Sequence, residues 1–195
     1  MSAVREPEDP RIVAANLNVG VRLFASAVAF VFVAFVFAFF YLKAVNSNGL
    51  WHPKHTNPSQ GYGLAILVCA LATTACFEVG RRGIAGAGRG GSWRPALGAA
   101  VALSVAVVAL QILQYTSLGF AATGGGYASV FYGWTAMLLV FWLGAVYWVE
   151  TVLAGALREP DALLVLRPSA DACLVYLYLM AAVEVVAYLV LYVVK

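Results

Sequence analysis

Residues 96–119 read ALGAAVALSVAVVALQILQYTSLG, a stretch with no Asp, Glu, Lys or Arg. As an α-helix it would be about 36 Å long, at about 1.5 Å per residue. The hydrocarbon core of a bilayer is about 30 Å thick, so this one stretch is long enough to cross it. Its apolar residues are continuous, without the alternation of period two that a barrel strand requires. A helix also satisfies its own backbone polar groups, which lipid cannot do. The stretch therefore predicts a transmembrane helix.

Four more runs pass the same test: 20–43, 62–80, 127–154 and 172–194. The composition agrees with a lipid solvent, because 63% of the 195 residues are hydrophobic and only 11% are charged. A soluble domain carries about 25% charged residues. The expected fold class is all-α, an integral membrane bundle of five transmembrane helices. Residues 1–19 are expected to be a cytoplasmic N-terminal segment, and 20–195 a single five-helix transmembrane domain. The charges Arg5, Glu6, Glu8, Asp9 and Arg11 precede an apolar run too long for the core of a signal peptide, so that run is expected to stay as the first span.

The distribution of cations predicts an orientation. With the N-terminus inside, Arg5, Arg11, Arg22, Arg81, Arg82, Arg89, Arg94, Arg158 and Arg167 are cytoplasmic, and only Lys43, Lys54 and Lys195 lie outside. Nine against three satisfies the positive-inside rule, with the C-terminus outside. Arg81, Arg82, Arg89 and Arg94 are also candidates for contacts with anionic lipid headgroups. Ordinary positive-inside topology explains them at least as well. Nothing in the charge pattern suggests nucleic acid.

Redox and catalytic chemistry lack their usual parts. The two histidines, His52 and His55, lie in the first loop, and none of the five runs contains one. Haem or copper ligation by histidine within the bilayer is therefore excluded for this chain alone. His52 and His55 with Lys54 between them make a poor metal site, and solvated loop histidines are the expected reading. Cys69, Cys76 and Cys173 read as buried thiols acting as small hydrophobes. No span can supply a histidine as base to a Ser or Cys, so no catalytic centre is expected. Neither a catalytic residue, a cofactor-binding residue nor a metal ligand is assigned.

The polar residues inside the runs are more informative. Glu78 precedes Arg82 by four residues and predicts a pair at a helix end. Glu150 lies about one turn from the end of the fourth run. Glu184 falls near the middle of the last run, where an exposed charge is costly, so it must face protein, headgroups or water. Counting from the outer ends, Gln111, Gln114, Thr135 and Glu184 fall at similar depth. They predict a polar layer joining three helices, or lipid-contact positions, with a protonated Glu184 donating to a glutamine.

Several motifs also resemble a known family, subunit III of the haem-copper oxidases in its bacterial five-helix form. Tyr127-Ala128-Ser129-Val130-Phe131-Tyr132-Gly133-Trp134-Thr135 looks like the family's Y-G-S-V-F-Y-x-x-T. Gln111-Ile112-Leu113-Gln114-Tyr115-Thr116-Ser117-Leu118 is similar to Q-x-x-E-Y-x-x-L, and Asn48-Gly49-Leu50-Trp51-His52-Pro53 resembles the L-W-x-P loop. Tyr41-Leu42-Lys43 and Leu191-Tyr192-Val193-Val194 resemble the ends of the first and last helices. The fourth helix departs from the pattern: T-G-x-H-x-x-H is replaced by Thr135-Ala136-Met137-Leu138-Leu139-Val140-Phe141. In the last helix W-H-x-V-D-x-V-W appears as Leu177 to Glu184, and Gln114 stands for the family's Glu.

The resemblance implies a non-catalytic subunit III of a cytochrome c oxidase-type complex in a respiratory chain. It implies no cofactor in this chain, with haem and copper in the partner subunits I and II. Membrane lipids are further expected partners, and the bacterial cytoplasmic membrane the expected location, as a multi-pass protein. Two alternatives are an accessory subunit of a nitric oxide reductase and a small transporter built on Glu184.

Overall fold

The computed structural model describes residues 9–46, 49, 51, 57–86, 92–159 and 163–195. These residues form five long helices: α1 (Pro10–Val45), α2 (Gln60–Ala85), α3 (Trp93–Ser117), α4 (Gly126–Arg158) and α5 (Leu163–Tyr188). The last six residues of the final helix, Leu189–Val194, widen into π-helical turns. There are five helices long and apolar enough to cross a membrane among the described residues. Each of the five apolar runs falls on one of them.

The helices extend past the apolar runs at several ends, furthest at the starts of α1 and α5. α1 begins ten residues before residue 20, because Asp9 caps it: its side chain accepts from the Arg11 N–H at 2.9 Å, and Pro10 stands in the first turn. Proline is tolerated there, since its missing N–H would have no intrahelical partner. α5 begins nine residues before residue 172 and carries Pro168 within it. The connection expected at 155–171 is therefore mostly helix, and α4 and α5 form a close hairpin. Gly155 is what permits this approach, since a Cβ there would sit 3.0 Å from the Leu166 side chain. Helix formation follows backbone hydrogen bonding and does not stop where the hydrocarbon does.

α2 and α3 form the second tight hairpin. A Cβ on Gly80 would lie 2.6 Å from Leu97, and one on Gly83 would lie 2.6 Å from the Trp93 Cβ. Lipid tails are as apolar as leucine, so helices in a bilayer gain by close packing over small residues.

Pairings along the bundle fix the directions. Thr74 meets Leu177, Arg81 meets Asp171 and Gln60 meets Tyr192, so α2 runs against α5. Trp142 meets Glu184 and Trp148 meets Ser169, so α4 also runs against α5. α1 pairs with α4 through Phe35–Trp134 and Phe32–Phe141, at ring separations of 6.0 and 5.6 Å. It lies parallel to α5, with Phe24 on Tyr176 near one end and Lys43 on Lys195 at the other. α5 thus contacts α1, α2 and α4, and it sits at the centre of the bundle.

The π-helical end of the chain is held by side chains from three other elements. Tyr127 Oη donates to the Leu191 carbonyl at 2.6 Å, and Gln60 Nε2 to the Tyr192 carbonyl at 3.4 Å. Lys43 Nζ donates to the Val194 and Lys195 carbonyls at 3.0 and 2.9 Å. A helix end leaves its last carbonyls unpaired, and here these donors supply partners. Several aromatic residues near the helix ends are interior. Trp51, Trp93, Tyr127 and Tyr192 are all buried, and Phe39, Trp51 and Tyr127 stack edge to face in one cluster.

Candidate functional site

The polar residues of the spans gather where α2, α3, α4 and α5 meet. Gln111 and Gln114 lie one turn apart on α3, and both are buried. Gln111 Nε2 donates to Gln114 Oε1 at 3.0 Å, and Gln114 Nε2 donates to Tyr192 Oη at 2.6 Å. Tyr192 reaches this position because Gly63 of α2 has no side chain; a Cβ there would lie 2.6 Å from its ring. On α4, Thr135 Oγ1 donates to the Phe131 carbonyl of its own helix at 2.7 Å and accepts from Tyr115 Oη at 2.8 Å. The Tyr115 ring stacks on Tyr132, so α3 and α4 are joined by a hydrogen bond and a ring pair.

Glu184 takes a different partner from the one its depth suggested. It is buried in α5, and Oε1 accepts from Trp142 Nε1 at 2.8 Å. No glutamine bonds to it directly. Gln111, Thr135 and Glu184 nonetheless line one small cavity of ≈ 10 Å³, together with Tyr188, Tyr192 and the gap left by Gly63. The structure therefore brings those three together and places Gln114 one hydrogen bond behind Gln111. Trp142 was missed from the sequence. Its only signal is an indole N–H on the inward face of α4, within reach of an acid on the neighbouring helix.

At the end of the bundle where α2 closes, the basic residues are already engaged. Arg81 donates to both Glu78 oxygens, at 2.8 and 3.0 Å, and to Asp171 Oδ1 at 2.8 Å. Arg82 donates to Glu78 Oε1 at 2.7 Å and is otherwise exposed. Arg81 therefore ties α2 to α5, and its guanidinium is shared between two carboxylates. Arg94 lies over the Trp93 ring at 5.1 Å, with its side chain exposed. Arg89, His52 and His55 lie outside the described residues. Glu150 is exposed on α4 and has no ion-pair partner among the described residues.

Among the described residues no three His, Cys, Asp or Glu side chains gather as a metal site would require. The three cysteines are free, and Cys173 is fully buried. A shallow aromatic groove of ≈ 440 Å³ runs along the outside of the bundle between α1, α4 and α5, lined by Phe24, Phe141, Gly144, Tyr147, Trp148 and Tyr176.

No family model matches the chain. The chain is similar to cytochrome c oxidase subunit 3 of Kluyveromyces lactis, with 29% identity over 145 aligned positions. The match covers 68% of this chain and 53% of that protein, so the chain spans about half the length of the curated relative it matches. That similarity is carried on five helices that are, among the described residues, long and apolar enough to cross a membrane.

Proposed function

We propose that this chain is a non-catalytic, subunit III-like component of a haem-copper respiratory oxidase. The observation that carries the reading is the similarity to cytochrome c oxidase subunit 3. In this reading the haem and copper belong to subunits I and II. This chain contributes packing against the catalytic subunit and a surface for lipid. The aromatic groove between α1, α4 and α5 supports the lipid role, because its volume and apolar walls suit an acyl chain. Arg82 and Arg94, both exposed, are the headgroup contacts available among the described residues, with Arg89 as a further candidate. The proposed location is the bacterial cytoplasmic membrane, with the N-terminus inside.

The test is co-purification. A tagged chain extracted in mild detergent is expected to bring down a larger haem-bearing membrane subunit, identified by mass spectrometry and by its absorption spectrum. The chain purified alone is expected to show no haem bands. If the chain carries protons or a solute by itself in liposomes and brings down no haem protein, the reading fails.

A further inference from the structure

We propose that the small cavity between α2, α3, α4 and α5 is a binding site for a single water molecule, which links Glu184 to Gln111 and Tyr192 in the membrane interior. The size fits: the cavity is ≈ 10 Å³, about the room one water requires. Such a site also needs two to four polar partners, and an apolar cavity of this size would stay dry.

The hydrogen-bond inventory supplies those partners. Glu184 uses one carboxyl oxygen for Trp142, and its second oxygen has no partner among the described residues. Gln111 spends an amide N–H on Gln114, which leaves its side-chain carbonyl without a donor. Tyr192 accepts from Gln114, which leaves its hydroxyl hydrogen without an acceptor. Thr135 is already satisfied through Phe131 and Tyr115. The three open valences are two acceptors and one donor, and their residues line the same cavity. A water that accepts from Tyr192 and donates to Glu184 and Gln111 closes all three. If Glu184 carries a proton, the same water accepts from Glu184 and Tyr192 and donates to Gln111. Buried polar groups left unpaired are costly, so an occupied site is favoured in either state.

The second consequence is chemical. Trp142 can only donate, so it cannot take a proton from Glu184. The water is the one neighbour of Glu184 in this arrangement able both to accept and to donate. A proton that leaves Glu184 in this arrangement passes to that water.

The experiment is infrared difference spectroscopy on the full chain in its native complex, reconstituted in lipid nanodiscs. The Glu184 carboxyl band is identified by its loss in Glu184→Gln. Tyr192→Phe and Gln111→Leu are expected to shift that band by several wavenumbers, although neither residue bonds to Glu184. Transfer to D2O is expected to shift it as well. Unchanged bands in both variants would overturn the proposal. A band that follows sodium against choline would make the occupant a cation and would also overturn it. If the variants do not assemble, a density map of the unaltered complex that resolves ordered waters decides the matter. One peak within hydrogen-bond reach of Glu184, Gln111 and Tyr192 is expected. A collapsed cavity, or a direct bond from Glu184 to Gln111, would refute the site.

Discussion

α1 and α5 lie parallel in the same bundle, yet they meet different surroundings. In the most apolar stretch of α1 17% of residues are buried, against 50% in the corresponding stretch of α5. α1 turns Leu23, Phe30, Val33, Phe37 and Tyr41 outward and attaches through a ladder of rings. α5 is surrounded by three helices and carries Glu184, Asp171 and the hydrogen-bonded tail. Both are apolar enough to span a bilayer, so hydropathy alone does not separate a helix facing lipid from one facing protein. The difference lies in what each helix brings for its neighbours. α5 brings polar groups that only protein can satisfy, and α1 brings rings that lipid accommodates as well as protein does.

The contrast can be broken or sharpened by substitution. The largest effect is expected for Trp142→Ala, which removes a fully buried ring and the indole donor that faces Glu184. Loss of a large buried aromatic side chain costs about 3–5 kcal/mol. Reversible unfolding in mixed micelles would measure it, and a loss below about 1 kcal/mol would remove α5 from its central place. Gly83→Ala comes next, because the new methyl would meet Trp93 at 2.6 Å, with that residue's backbone just behind it. Overpacking of this kind costs about 1–3 kcal/mol, read as a lower thermal midpoint at fixed detergent concentration.

Arg81→Ala is expected to cost less. It breaks the link between α2 and α5, but the arginine is 22% exposed and Asp171 is 40% exposed. Pairs that meet water contribute about 0–1 kcal/mol. Raising salt should narrow the gap between this variant and the parent, since exposed charges are screened. The smallest effect belongs to α1. Phe30→Ala and Phe37→Ala remove rings that are 74% and 69% exposed, and stability of the isolated chain should change by no more than about 0.5 kcal/mol. If either variant leaves the isolated chain intact but lowers recovery of the haem-bearing subunit, the outer face of α1 is a protein contact.

Much of this architecture is legible in the sequence. Five runs of apolar residues give five helices, because backbone bonds within lipid have no alternative. The Glu78–Arg82 pair follows from helical spacing and is present at 2.7 Å. The depth of Gln111, Thr135 and Glu184 follows from counting residues at a fixed rise, which is why the three border one cavity. Rotation about each helix axis does not follow from counting. It is set by how the helices pack, and it decides that Glu184 meets Trp142 and not a glutamine. The same limit applies to the aromatics. Position near a helix end suggests an interfacial anchor for Trp51 or Tyr127, whereas packing against Phe39 draws both into the interior. Arg81 joins Asp171 across 90 positions of sequence, a partnership no local pattern announces.

The central position of α5 has a consequence for biogenesis. The ribosome releases a chain N-terminus first, so α5 enters the bilayer after the other four helices. Those four arrive with Gln60, Tyr127, Trp142 and Arg81 prepared for a neighbour that has not yet been made. The α2–α3 hairpin needs no such wait, since its close packing over Gly80 and Gly83 involves only its own two helices. The rest must wait. A ribosome stalled before residue 163 would leave the other four helices without the partner that Gln60, Trp142 and Arg81 meet in the finished bundle.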